Sequence, residues 1–230
     1  MKPYGLYTAA HALHYWENRQ KVAAHNLANV ETSGFKAERV FARLIEESYV
    51  AAETETDFSE GKLTPTGRTL DLALEGPGFF VIETDLGERL IRGGSLRLDE
   101  IGRIVDPSGN PLLGERGEIF VPAGNLDIDA EGIVTVDGQE IDRIRVETVP
   151  PGTEMIREGA GRFLADVEPT PIAPIERRIR QGYLEESNVS AIESMVELID
   201  IQRSFAAVQR TVLVNDGVLD TIVNQIGRTG

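Results

Sequence analysis

The stretch Gln181–Gly230, QGYLEESNVSAIESMVELIDIQRSFAAVQRTVLVNDGVLDTIVNQIGRTG, decides the fold. Ser190 and Glu193 stand three residues apart before an apolar run, the spacing of a capping box in which a hydroxyl accepts the first free amide. Met195, Leu198, Phe205, Val212, Leu219 and Ile226 then recur at three- and four-residue steps or their sums, and Ile192, Ile199, Ala206 and Leu213 widen the stripe. No proline interrupts the run, and only Gly217 weakens it. The pattern predicts a helix of about 35 residues, roughly 50 Å long. A helix of that length needs partners along its whole extent.

A second helix of the same kind is expected at the other end, from about Tyr4 to Leu27. Leu6, Ala9, Leu13, Trp16, Gln20, Ala23, Leu27 and Val30 keep a strict 3,4 spacing, a heptad seam with one polar break at Gln20. The seam is rich in alanine, which permits close approach but buries little area, so the helix must form against something: the opposite chain end, or copies in neighbouring subunits. Asn29, Thr32, Ser33 and Gly34 are breakers that end it, and Phe35 offers an apolar anchor just beyond the turn. An aspartate at Leu13 or Leu198 is expected to block assembly by placing an unpaired charge in a helix seam.

Totals narrow the possibilities. With 230 residues the chain holds one good-sized domain or two small ones, and without cysteine it has neither disulfides nor thiolate chemistry. The net charge of -15 is concentrated between the two helices, so the middle is an acidic, solvated body and a poor nucleic-acid partner. No apolar stretch approaches the length that spans a bilayer, and the first residues, MKPYGLYTAAHALHYW, lack the apolar core of a cleaved secretory signal.

Between the helices, residues 37–60 are expected to be a linker or extended segment. RVFARLIEESYV could be a short helix or extended, and AAETETDFSE reads as polar linker. From Gly61 the language changes to short runs at hairpin spacing: LDLAL with Leu70, Leu72 and Leu74 alternating inward, FFVI after the Gly76-Pro77-Gly78 corner, then ERLIR, SLRLD, RIVD, NPLL, EIFVP, NLDID, IVTV and a longer EIDRIRVETV. Gly93-Gly94 reads as a turn. Residues 151–181, with PPG, GAG and EPTPIAP, read as irregular edge structure. The expected class is α+β: long N- and C-terminal α-helices, packed together or with neighbouring subunits, enclosing a central, mostly antiparallel β domain. Its parts are an amino-terminal helix and turn (1–36), the segment 37–60, the β domain (61–181) and the carboxy-terminal helix (182–230).

Reagents for catalysis are scarce. All three histidines, His11, His14 and His25, lie in the first helix, and His11 to His25 spans about 21 Å, too far to converge on one ion. The β domain has no histidine or cysteine for a nucleophile-base pair. Asp127, Asp129 and Glu131, or Asp99 and Glu100, could be proposed as hydrolytic acids or calcium ligands, but among 38 acidic residues such pairs arise freely, and these sit beside turn glycines. Arg92, Arg103 and Arg116 could pair with the acidic surface, where such pairs contribute little. The chain reads as a non-enzyme with neither metal nor cofactor, whose functional residues are apolar and helical. A β-scaffold hydrolase would require clustered carboxylates in a cleft, and a secreted oligomeric binding module an exposed aromatic patch.

Three segments in order carry a resemblance. HNLANVETSGFKAE (His25–Glu38), the block from Thr66 to Gly114 and QGYLEESNVSAIESMVELIDIQRSF (Gln181–Phe205) resemble the signatures of flagellar basal-body rod proteins, within the wider family of flagellar axial proteins. The central block departs from the usual pattern at Ile91 and Gly93, on either side of Arg92. Within the family the chain is most like the proximal rod member, with the distal member next. The resemblance implies a structural subunit of a helical rod that transmits torque from motor toward hook. It implies delivery by the flagellar type III export apparatus without a cleaved signal, a periplasmic location in the basal body, and partners among its own copies and other axial proteins. It implies no nucleic acid and no membrane span. The assembly residues it suggests, together with the seams, are Leu6, Leu13, Trp16, Leu27, Asn29, Gly34 and Phe35, and then Asn188, Met195, Leu198, Ile199, Arg203, Phe205, Val212 and Leu219.

Overall fold

A computed structural model describes residues 4–46 and 49–226. The chain divides into two compact units: a helical unit made of residues 1–30, 37–57 and 189–230, and a β unit made of 31–36 and 58–188. The β unit is therefore inserted into the sequence of the helical one.

In the helical unit, α1 (Tyr4–Ala28) packs on α2 (Ala191–Ile226). The first turn of α2 is closed by the Ser194 amide donating to the Ser190 carbonyl at 2.9 Å, and the Ser190 hydroxyl accepts the Glu193 amide at a long 3.4 Å. One arm of the expected capping box is thus present, loosely held. The covered side of α2 follows Ser194, Leu198, Ile201, Phe205, Val208 and Val212, at alternating steps of four and three, with Ala191, Glu197 and Ser204 beside them. On α1 the seam positions Leu13, Trp16, Gln20, Ala23 and Leu27 are all covered, as are several positions beside them, Asn26 among the buried ones, and Ala23 and Ile201 are almost fully buried. The small alanine lets the helix axes approach, as the spacing predicts.

The segment after α1 is a hairpin. β1 (Glu38–Glu46) and β2 (Tyr49–Thr56) pair antiparallel from Glu38↔Thr56 to Glu46↔Tyr49, with a register shift between Leu44 and Glu46. AAETET, read from its polarity as linker, is strand, and of the two readings of RVFARLIEESYV the extended one holds for its described residues, Glu47 and Ser48 lying outside them. A two-stranded ribbon is marginal alone; this one is tied to the end of α1 through Asn26, described below.

The β unit is antiparallel in every described pairing. After β3 (Leu63–Pro65) and β4 (Asp71–Leu74) come β5 (Phe79–Thr84), β6 (Gly87–Ile91) and β7 (Gly93–Ser95). The β5–β6 hairpin is the centre of a six-stranded sheet, flanked on one side by Arg162–Ala165 and Met155–Gly159 and on the other by Val146–Thr148 and Thr170–Pro171. β4 lies between Ile179–Gln181 and β7, while β3 pairs with Tyr183–Glu185. Phe80 and Ile82 point into one core with Leu72, Leu96, Ile104, Leu112 and Ile144. Phe79 and Val81 point into another with Leu90, Leu113 and Phe163. Covering both faces is why FFVI is an unbroken apolar run.

Several expectations need correcting. All four residues of β4 are buried, so Leu72 and Leu74 do not alternate with a solvent face. EIDRIRVETV is not one strand: it breaks at Ile144-Arg145 and supplies two different sheets. Residues 151–181 contain three strands of the main sheet, Met155–Gly159, Arg162–Ala165 and Thr170–Pro171, and glycines at 159 and 161 turn the hairpin between the first two. Gly93-Gly94 is not a turn but the start of β7, paired with Ala73 and Leu72. A Cβ on Gly93 would lie 2.4 Å from the Leu72 carbonyl oxygen, at a φ of +136°. Gly93→Ala is therefore expected to cost about 3 kcal/mol, measurable by denaturant unfolding. Gly94→Ala, whose Cβ would meet nothing within 4 Å, carries only the backbone strain of its φ of +146° and is expected to cost less, about 2 kcal/mol.

Candidate functional site

Two features stand out, one in each unit. In the β unit the Lys36 side chain is wholly enclosed, at 0 % exposure. Its ammonium donates to Glu185 Oε1 at 2.7 Å and to the Ser59 carbonyl at 2.7 Å. The same Oε1 accepts the Gly61 amide at 2.8 Å, and Oε2 accepts Arg92 Nε at 3.2 Å. Arg92, 4 % exposed, also donates to the Gly76, Gly78 and Leu74 carbonyls. One carboxylate thus sits between two buried cations. Desolvation pushes the Lys36 pKa below its ordinary value, opposed by the Glu185 carboxylate and reinforced by Arg92.

Backbone bonds close the same region. The Gly34 amide donates to the Glu185 carbonyl at 2.7 Å, Glu186 to Lys62 at 2.8 Å and Asn188 to Phe35 at 3.3 Å. The Asn188 side-chain amide donates to the Ser59 carbonyl and hydroxyl. Phe35 is buried with the Arg157 guanidinium 4.5 Å from its ring centroid, and Arg157 also lies 5.2 Å from that of Phe163. Gly34 has a φ of +68°, the left-handed conformation the turn requires. Gly34, Phe35 and Asn188, suggested as assembly residues, therefore meet within one unit of one chain.

In the helical unit, Asn26 reads β1 like a missing strand. Its side-chain amide donates to the Glu38 carbonyl at 2.7 Å, and its side-chain oxygen accepts the Glu38 amide at 2.9 Å. Asn26→Ala is expected to remove both of these bonds to the β1 backbone and to cost about 2 kcal/mol, seen as faster amide exchange across residues 38–42 and 52–56. Asn29 ties off α1 by donating to the His25 carbonyl at 2.9 Å.

Of the remaining suggested residues, Leu13, Trp16, Leu27, Leu198, Phe205 and Val212 lie on the covered faces of the helix pair. Arg19 ion-pairs with Glu197 across it and stands over the Trp16 ring, 5.3 Å from its centroid. Met195, Ile199 and Arg203 face away and are exposed. With Met195 and Ile199 go Ile192, Val196, Leu213, Val214 and Val218, all at least half exposed. The side chains of Leu6 and Leu219 lie outside the described residues. The α2 stripe read from the sequence as one surface is thus two faces, and Ile201, the most buried apolar side chain of α2 among the described residues, was not in it.

Two of the candidate carboxylates, Asp99 and Asp129, have a plain role. Asp99 accepts the amides of Ile101 and Arg103, and Asp129 those of Glu131 and Ile133, so each caps its own turn. Arg103 bonds Asp99 and Glu118 on the rim, whereas Arg92 is a core residue.

The chain matches three family models: flagella basal body rod protein over residues 6–36, the flagellar hook protein FlgE/F/G D1 domain over 73–139, and flagellar basal body rod FlgEFG protein C-terminal over 180–226. It is 31% identical to the flagellar basal-body rod protein FlgF of Rhizobium meliloti, across 97% of this chain and 98% of that one. The chain belongs to the flagellar basal-body rod protein family. FlgF of Escherichia coli is 31% identical over 88% of this chain and 90% of its own, and FlgG of Bacillus subtilis 26% identical over 95% and 97%. A member of this rod family is a structural subunit of the flagellar basal body, associated with other rod components. Each matched segment contributes one residue to the buried network: Lys36, Arg92 and Glu185 in turn. No helix among the described residues is long and apolar enough to cross a membrane.

Proposed function

We propose that the protein is the proximal rod subunit. Its assembly residues lie on the outer face of α2 and along the helix seams, and its action is mechanical: transmission of torque through many subunit contacts, with no bond made or broken. The observation that carries this reading is the second apolar face of α2, Ile192, Met195, Val196, Ile199, Leu213, Val214 and Val218, which α1 leaves exposed. A long helix with one face on its own partner and another unfilled suits contact with neighbouring copies and other rod proteins. The relatives named FlgF support the proximal position; FlgG relatives of similar coverage make the distal position the alternative. The chain reaches its periplasmic place through the flagellar type III export apparatus.

Electron microscopy of basal bodies from a strain lacking the gene, beside a complemented one, tests this. Rods missing or cut short near their base, restored by complementation, are the expected result. A rod that stops only at its distal part would favour the distal assignment, and intact rods and hooks would overturn both.

A further inference from the structure

We propose that the Lys36–Glu185–Arg92 network is a register lock: it selects one pairing of the carboxy-terminal strand Tyr183–Glu185 and adds little net stability. That strand and β3 share three rungs, Tyr183↔Pro65, Leu184↔Thr64 and Glu185↔Leu63, continued in the same register by one backbone bond at each end, the Thr66 amide to the Gly182 carbonyl and the Glu186 amide to the Lys62 carbonyl, both at 2.8 Å. Tyr183 and Pro65 are exposed, and Leu184, Leu63 and Thr64 are only half-buried. A ladder this short, with so little apolar burial, specifies its own register weakly. The network specifies it strongly. Sliding by two residues would bring Tyr183 or Ser187 to the place of Glu185 and leave two enclosed cations without their anion.

Sliding by one brings Leu184 or Glu186. Glu186 does carry a carboxylate, but the shift would reverse the faces of the strand and break the bond from its amide to the Lys62 carbonyl. Gly61 approaches the Glu186 carbonyl so closely that a Cβ there would stand 1.9 Å from the oxygen, so the native alignment is also gauged by backbone contact. Burying three charges carries a desolvation cost that their mutual attraction offsets, which is why a neutral replacement of similar shape leaves stability near its starting point. What the ions add is discrimination between alignments.

The test exploits the absence of cysteine. Two reporter pairs are introduced separately: Thr64→Cys with Leu184→Cys, opposed in the native register, and Leu63→Cys with Tyr183→Cys, opposed after a two-residue slip. Each is oxidised in the full chain with the native network and with Lys36→Met/Glu185→Gln, which removes one charge of each sign and keeps side-chain size. In that double variant the Ser59 carbonyl keeps the Asn188 amide, and Arg92 keeps its three carbonyls. With the native network only the first pair should cross-link. In the double variant, where Arg92 keeps its carbonyls but has lost its anion, the melting midpoint should stand well above that of Glu185→Gln alone while the second pair cross-links at least ten times faster than before. A double variant that fails to fold, or melts no higher than Glu185→Gln alone, would show the network to be a stabilising element. One that folds and cross-links only in the native alignment would show that the ladder needs no lock. Either result overturns the proposal.

Discussion

Glu185→Gln alone is expected to lower the stability of the β unit by about 3–5 kcal/mol, because it leaves Lys36 and Arg92 enclosed without a counter-charge. For a unit of this size that corresponds to a fall of roughly 10 °C in the melting midpoint. The contrast is with Glu186→Gln, one residue along. Its carboxylate accepts the Thr64 hydroxyl at an exposed site, and its loss should cost under about 1 kcal/mol. Thermal unfolding of both proteins, followed by near-ultraviolet circular dichroism, separates the two. Equal midpoints would mean that water or a relaxed lysine compensates the missing charge in solution.

Ile199→Asp is expected to abolish motility while leaving the isolated chain folded. Ile199 is on the outer face of α2, 50 % exposed, so in the monomer the change is worth no more than about 0.5 kcal/mol. Buried against a neighbouring subunit, an unpaired carboxylate would cost several kcal/mol, enough to weaken incorporation more than a hundredfold. Ile201→Asp, two residues on, is the counterpart: at 1 % exposure it faces α1 and should disrupt the helix pair itself. Leu13 and Leu198 stand on that same covered side, so an aspartate at either tests the pair as much as the assembly. Swimming in soft agar, with circular dichroism of the purified variants, distinguishes these cases. A motile Ile199→Asp strain would remove the outer face of α2 from the assembly surface.

How much could be read from the residues depended on whether the cause was local. The two helices, the double-faced FFVI strand and the turn-capping aspartates have causes within a few residues, namely spacing, burial on both sides and a carboxylate two positions before an amide. The β1–β2 hairpin was harder because AAETET has neither an apolar face nor a turn signature. What holds it beside α1 is the side chain of Asn26, twelve residues before its partner in sequence. Gly93-Gly94 misled for the opposite reason: glycine is the residue of turns, but here it admits the backbone of Leu72 at close range. The buried network was least legible. Lys36, Arg92 and Glu185 are single charges in a chain full of them, and their partnership spans 149 residues. The one available signal was that all three fall in segments resembling the same family.

The meeting of Gly34 with Glu185 also bears on the order of events in folding. Arg19 and Glu197 are 178 residues apart, so bringing α1 to α2 in an unfolded chain means closing a very long loop. Once the β unit has formed, Gly34 and Glu185 are already in contact, and the open chain that remains is only the short run on either side. By the logarithmic dependence of closure entropy on length, that shortcut reduces the entropic barrier by about 1.7 kcal/mol. The inserted body should therefore fold first and act as an intramolecular matchmaker for the helices, so that a variant slow to complete its β unit is also slow to bring its two ends together.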